Sequence, residues 1–146
     1  MSVEKLLELK KNGRKAGIDA FLVNSETNMR YLSGFSTLAI ERFAALVVPV
    51  EQGAPTVIVP KLEEQKAKEK STFKDIRSYD DSENPAHSLR QVIKEQKLEK
   101  AIFGVEWTLA FKFYKMLVEF SPKVEVRDAS AIFSQLRCIK SHEELE

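Results

Sequence analysis

The sequence contains a single cysteine, Cys138, in 146 residues. One thiol cannot close an internal disulfide, and a reducing cytoplasm is the natural setting for such a chain. Long apolar runs are absent too. No stretch approaches the ~20 apolar residues needed to cross a bilayer, and residues 1–11 hold no unbroken apolar core of a secretory signal. Net charge is almost missing: 23 basic and 22 acidic residues leave +1. That balance gives no electrostatic reason to expect a nucleic-acid or anionic-membrane partner. Neither Gly-x-Gly-x-x-Gly nor Gly-x-x-x-x-Gly-Lys-Ser/Thr occurs, so no phosphate-cradling loop is indicated. Internal repeats and low-complexity runs are absent.

What is present is ordinary globular material, 43% apolar and 31% charged. A chain of this length fits one domain and buries about 70% of its unfolded surface. It therefore needs neither disulfide nor metal to fold.

The most informative stretch is Asn28-Met29-Arg30-Tyr31-Leu32-Ser33-Gly34-Phe35. It follows an apolar run at 20–23 and a polar corner, Asn24-Ser25, and precedes a second apolar run at 43–50. The pattern predicts a strand, a tight helical turn and another strand. Ser25 is a fit N-cap, because its hydroxyl can accept from an orphan amide of the first turn. Gly34 fits the left-handed position that ends the turn.

The other elements follow from period and punctuation. A helix from Ser2 to about Ala16 carries Val3, Leu6, Leu7 and the stem of Lys10 on one stripe. Strands are expected at 18–23, 42–50 and 56–59, the last two joined by a hairpin at 51–53. Pro60 ends the third strand and leads into a charged helix at 62–70. A fourth strand is expected at 76–79 and a turn at Asp80-Asp81. Pro85 opens a helix to about Gln96. A fifth strand spans 101–105. Thr108 caps a helix whose stripe is Phe111, Tyr114, Leu117 and Val118. A sixth strand spans 124–126, and Asp128 or Ser130 opens a helix through Ile139, with Cys138 on its buried stripe. Strands alternating with helices imply one three-layer α/β domain: a mixed, mostly parallel sheet of about six strands with helices on both faces.

Ser141-His142-Glu143-Glu144 is a capping box. A new helix starts there, with fewer than two turns of chain to follow, and so short a helix is not stable alone. The expectation is a domain at 1–140 and, at 141–146, the start of a helix leading into further chain.

Few residues offer chemistry. A two-metal hydrolase needs several carboxylates and usually histidine converging on ions ~3.5–4 Å apart. The two histidines are His87, on an outer helix face, and His142, whose His-Glu-Glu context is not His-Glu-x-x-His. No metal or other cofactor site is expected in these residues. Cys138 would need a neighbouring base to act as a nucleophile. Trp107, after Gly104-Val105-Glu106, is a candidate interface or site-wall residue, because tryptophan is enriched in such places. Glu41-Arg42 stands where a loop enters a buried strand, and Arg42 can pair there with a local carboxylate.

Taken in order, the first helix, GIDAFLVNSETNMRYLSGF, ERFAALVVP, TVIVPKLEEQKAKE, FGVEW and LRCIKSHEELE resemble the N-terminal domain of the creatinase/prolidase family. That family includes aminopeptidase P and the proline dipeptidases. The resemblance implies that this domain precedes a larger "pita-bread" domain. That second domain holds two divalent metal ions on two aspartates, one histidine and two glutamates beyond these residues. It further implies a cytoplasmic homodimer acting on proline-containing peptides as Xaa-Pro dipeptidase or aminopeptidase. This domain would then contribute to dimerisation and cover the partner subunit's active site. Arg42 stands at what looks like the position of a creatinase arginine that reaches the substrate carboxylate of the other subunit. Tyr31, Glu41 and Trp107 are the accompanying interface or site-wall candidates. The alternative is a binding module on a peptidase-like body without metal ligands, as in a histone-chaperone subunit.

The lack of a convergent ligand set predicts no turnover of proline dipeptides by these 146 residues. It also predicts no stoichiometric micromolar binding of manganese, cobalt or zinc. Calorimetry with each ion, beside a dipeptide assay, checks both.

Overall fold

The structure is a computed structural model that describes residues 2–37, 42–51 and 53–138. Its elements are α1 (Ser2–Lys15), β1 (Ala20–Val23), α2 (Glu26–Ser33), β2 (Ala45–Pro49), β3 (Thr56–Pro60), a 3-10 turn (Lys61–Glu63) running into α3 (Glu64–Lys70), β4 (Asp75–Tyr79), α4 (Pro85–Glu95), β5 (Ile102–Val105), α5 (Phe111–Phe120), β6 (Glu125–Asp128) and α6 (Ser130–Cys138). The strands form one sheet in the order β4-β3-β2-β1-β5-β6. β2 is antiparallel to both β1 and β3, and the other three pairings are parallel. Five strands therefore point one way and β2 alone is reversed. The expected mixed six-stranded α/β sheet is what forms.

Every residue of β1, β2 and β3 is buried, as their near-continuous apolar runs require of strands covered on both faces. One face packs on α1, α2, α3 and α6 through Leu9, Met29, Leu32, Ala67 and Phe133. The other packs on α4 and α5 through Leu89, Val92, Ile93, Phe113 and Leu117. Aromatic pairs bind each layer: Phe21 meets Phe133 edge-on at 5.5 Å, and Phe43 meets Phe113 at 5.1 Å. The two edge strands are charged. Arg77 pairs with Asp75 on β4 and Arg127 with Glu125 on β6, which discourages pairing with a foreign strand.

Local chemistry sets the ends of the elements as read. The Ser25 hydroxyl accepts from the Asn28 amide at 3.2 Å. Gly34, at φ 83°, donates its amide to the Arg30 carbonyl, a left-handed cap without Cβ strain. Gly53, at φ 105°, turns the chain between β2 and β3. Asn84 caps α4 ahead of Pro85.

Five expectations are corrected. In α1 the buried side chain is Leu9, while Val3 and Leu7 are 65% and 62% exposed. The packed face runs through Leu9 and Gly13, because Gly13 has no side chain and lets the Phe21 ring and Val50 approach. Hydropathy gives a glycine no weight, so the stripe was misplaced. In α5 the N-cap is Ala110, not Thr108. Phe111 and Tyr114 lie outward and stack on each other, while Phe113 and Leu117 are buried. Pro60 closes β3 instead of standing outside it, paired with Tyr79; at a strand's last position its missing amide costs little. Cys138 is exposed, not buried.

Gly104 in β5 is a space-limited position. A Cβ there would lie 2.9 Å from that of Ala129 and 3.0 Å from Ile18 and Phe21. Gly104→Ala should destabilise by about 1–3 kcal/mol through overpacking. A lower urea midpoint at unchanged slope is the expected reading; wild-type stability would mean that α6 can shift aside at no cost.

Candidate functional site

Because only β2 is reversed, the carboxyl ends of five strands and the amino end of β2 share one edge of the sheet. Along that edge stand Asp80-Asp81 after β4, Lys61 after β3, Arg42 before β2, Asn24-Ser25 after β1, Glu106-Trp107 after β5 and Ser130 after β6. Arg42 and Trp107, far apart in sequence, are thus brought to one edge. Glu41 lies outside the described residues. Tyr31 sits elsewhere, half-buried between helices. Its hydroxyl donates to the Leu136 carbonyl at 2.9 Å, and the Lys5 ammonium lies 4.1 Å from its ring centroid.

Between β1 and β5 the topology switches. The chain leaves β1 for α2 on one face and leaves β5 for α5 on the other, and such a switch opens a crevice at the carboxyl ends of the strands. Here it is a cleft of about 290 Å³, lined by Thr27, Asn28, Trp107, Thr108, Ser134 and Arg137 among others. Its floor is Glu106, a carboxylate only 7% exposed. One oxygen accepts the amides of Asn24 and Ser25 at 3.2 and 3.0 Å. The other accepts the Ser25 hydroxyl at 2.6 Å and the Asn28 side-chain amide. The Asn28 amide oxygen in turn accepts from the Arg137 guanidinium at 2.5 Å. Asn24 donates its side-chain amide to the Ala44 carbonyl at 2.7 Å, tying the same corner to the lead-in of β2. A buried charge is tolerated only when its lone pairs are satisfied, and four donors meet that condition.

The Arg42 corner is built differently. Phe43 is buried on the α5 side, and the Tyr79 hydroxyl donates to its carbonyl at 2.7 Å. Burial pushes the Tyr79 phenol up to about 12, against the lowering effect of that bond. The neighbouring Arg42 side chain remains 48% exposed, with Nη1 3.1 Å from an Asp81 oxygen. Lys61 and Asp80 form a second, looser pair at 3.6 Å. What this edge offers chemically is a half-exposed guanidinium fork suited to a carboxylate.

Among the described residues no group of three or more His, Cys, Asp or Glu side chains is placed to hold a metal ion. His87 packs edge-on against Phe120 at 5.7 Å; His142 lies outside the described residues. No helix among them is long and apolar enough to cross a membrane.

Sequence reasoning passed over Glu106 and Asp81. The signal for Glu106 was an acidic residue directly after a buried strand, in a chain whose first strand ends in the polar corner Asn24-Ser25. The Asp80-Asp81 pair was read as a turn, which it is, but its counter-charges come from two other strand ends.

Glu106→Gln replaces an acceptor with a donor in a ring of donors. It should cost about 1.5–3 kcal/mol, whereas exposed Glu119→Gln should stay within about 0.5 kcal/mol. Urea melts of both variants compare them directly.

The chain is similar to the Xaa-Pro dipeptidase of Lactobacillus delbrueckii subsp. lactis, 28% identical over 131 residues that cover 88% of this chain and 35% of that protein. A putative dipeptidase of Bacillus subtilis is 25% identical over 133 residues, covering 90% and 36%. The chain thus spans little over a third of these relatives' length. Among solved structures, a proline dipeptidase from Streptococcus pneumoniae superposes with a TM-score of 0.83 at 26% identity, covering 92% of this chain and 98% of that one. A prolidase from Thermococcus sibiricus gives 0.86 at 27%, covering 99% and 39%. Residues 5–139 match the creatinase/prolidase N-terminal domain, and the chain belongs to that family.

Proposed function

We propose that this chain is the non-catalytic N-terminal domain of a cytoplasmic, proline-specific Xaa-Pro metallopeptidase, a dipeptidase or aminopeptidase. The carrying observation is the family match over residues 5–139 in a chain little over a third the length of an Xaa-Pro dipeptidase. In this reading residues 1–140 are the domain, and 141–146 open the helix into a catalytic domain that holds two divalent metal ions. The domain pairs two subunits and covers the partner's active site. Covering a site contributes to catalysis without donating a reacting group, by excluding water and orienting the substrate.

Arg42 is the residue assigned to substrate. It stands exposed on the edge where five strands end, on a backbone fixed by the Tyr79–Phe43 hydrogen bond. From there its guanidinium meets the carboxylate of a peptide bound in the partner's site. Trp107, 77% exposed on the same edge, walls the approach; Tyr31 and Glu41 complete the set proposed for the interface.

In the full-length protein, Arg42→Ala should weaken peptide binding about ten- to a hundredfold, the worth of a hydrogen bond to a charged group. Arg42→Lys should recover little, because an ammonium cannot form the fork. The melting temperature of the isolated domain should hardly move, since exposed pairs contribute little. Steady-state kinetics beside domain melting is the measurement. Wild-type constants, or a large loss of domain stability, would make Arg42 a structural residue.

A further inference from the structure

The turn after β4 is built against Arg42 from several directions. Tyr79, the last residue of β4, is 4% exposed and donates its hydroxyl to the Phe43 carbonyl. The end of β4 is thereby locked to the residue next to Arg42, across the intervening end of β3. Beyond Tyr79 the turn closes on itself. The Asp80 amide donates to the Glu83 carboxylate at 2.8 Å, and the Glu83 amide to the Asp80 carbonyl at 2.9 Å. Lys61, from the end of β3, holds Asp80 at 3.6 Å. Asp81 is what this braced turn presents to Arg42, at 3.1 Å from Nη1. The charged groups at the corner are Arg42, Lys61, Asp80, Asp81 and Glu83.

We infer that Asp81 is a positioning residue: its carboxylate holds the Arg42 guanidinium at the sheet edge, ready for an incoming carboxylate. The inference rests on the assignment of Arg42 to substrate and deepens it. A free arginine side chain samples many rotamers, and fixing it in advance removes an ordering cost that binding would otherwise bear. Asp81 lies 3.1 Å from Nη1 of a group with five N–H donors, and 48% of the arginine side chain stays open to solvent. The guanidinium is thus both held and available. The brace is effective because the turn that carries Asp81 is anchored to the same backbone that carries Arg42.

The test is a double-mutant cycle in the full-length protein, using a proline dipeptide with a free carboxyl terminus. Asp81→Ala should raise KM about two- to fivefold, the range of an exposed ion pair, with kcat unchanged. Asp81→Glu should restore part of the loss. Arg42→Ala with Asp81→Ala should be no worse than Arg42→Ala alone, because Asp81 acts only through the arginine. On the 146-residue chain, nuclear magnetic resonance of the Arg42 Nε–Hε group should show lower order in Asp81→Ala than in wild type. A wild-type KM for Asp81→Ala, additive losses in the double variant, a fall confined to kcat, or unchanged Arg42 order would each overturn the role of Asp81. If Arg42→Ala impairs binding while Asp81→Ala is silent, only this inference fails. If Arg42→Ala is itself silent, the assignment of Arg42 fails and Asp81 with it.

Discussion

A carboxylate buried at the carboxyl end of β5 sets the corner at which the chain leaves β1. Glu106 accepts two backbone amides, a hydroxyl and a side-chain amide from the segment Asn24 to Asn28. Burying an unpaired charge would cost several kcal/mol, so the network is required to be complete, and completing it dictates where α2 begins. Ser25 serves twice, accepting from the first turn of α2 and donating to Glu106. Asn28 carries the same network outward to Arg137 at the end of α6. One acidic side chain therefore fixes β1, β5, α2 and the last helix relative to one another. The surrounding apolar layers stabilise the sheet but do not specify this corner.

The second constraint is directional. A single reversed strand in an otherwise parallel set brings the start of β2 to the edge where the other strands end. Without that reversal Arg42 would stand at the opposite edge from Trp107 and Glu106. The hairpin around Gly53 is the local device that turns the chain back into β3. Polar corners, the switch-point cleft and the acidic turn after β4 all collect on this edge, while the charged strands β4 and β6 close the sheet laterally. Polar groups thus gather on the edge, while the helices on the two faces turn their apolar sides to the sheet.

Much of this was legible beforehand where a residue's local requirement coincides with its role. Ser25 and Gly34 were identified as caps because a hydroxyl before a helical turn, and a glycine after it, answer to the backbone alone. The buried strands announced themselves as runs of Val, Leu, Ala and Ile. Reading failed where packing overrode local pattern. Gly13 marks the buried face of α1 by what it lacks, and a hydropathy stripe drawn through Val3 and Leu7 missed it. In α5, Phe111 and Tyr114 fit a helical stripe as well as Phe113 does. Only the contact of Phe113 with Phe43, a residue seventy positions earlier, decides which side goes in.

The sequence by itself determined the class of fold, the order of its elements and the turn chemistry, because each depends on neighbours within a few residues. It also carried the family, through the order of several short stretches. The tertiary structure decided the partners of Glu106 and Asp81, the cleft between β1 and β5, and the company Arg42 keeps. Those are contacts between residues tens of positions apart, and a chain written in one dimension holds the side chains but not the sheet order that brings them together.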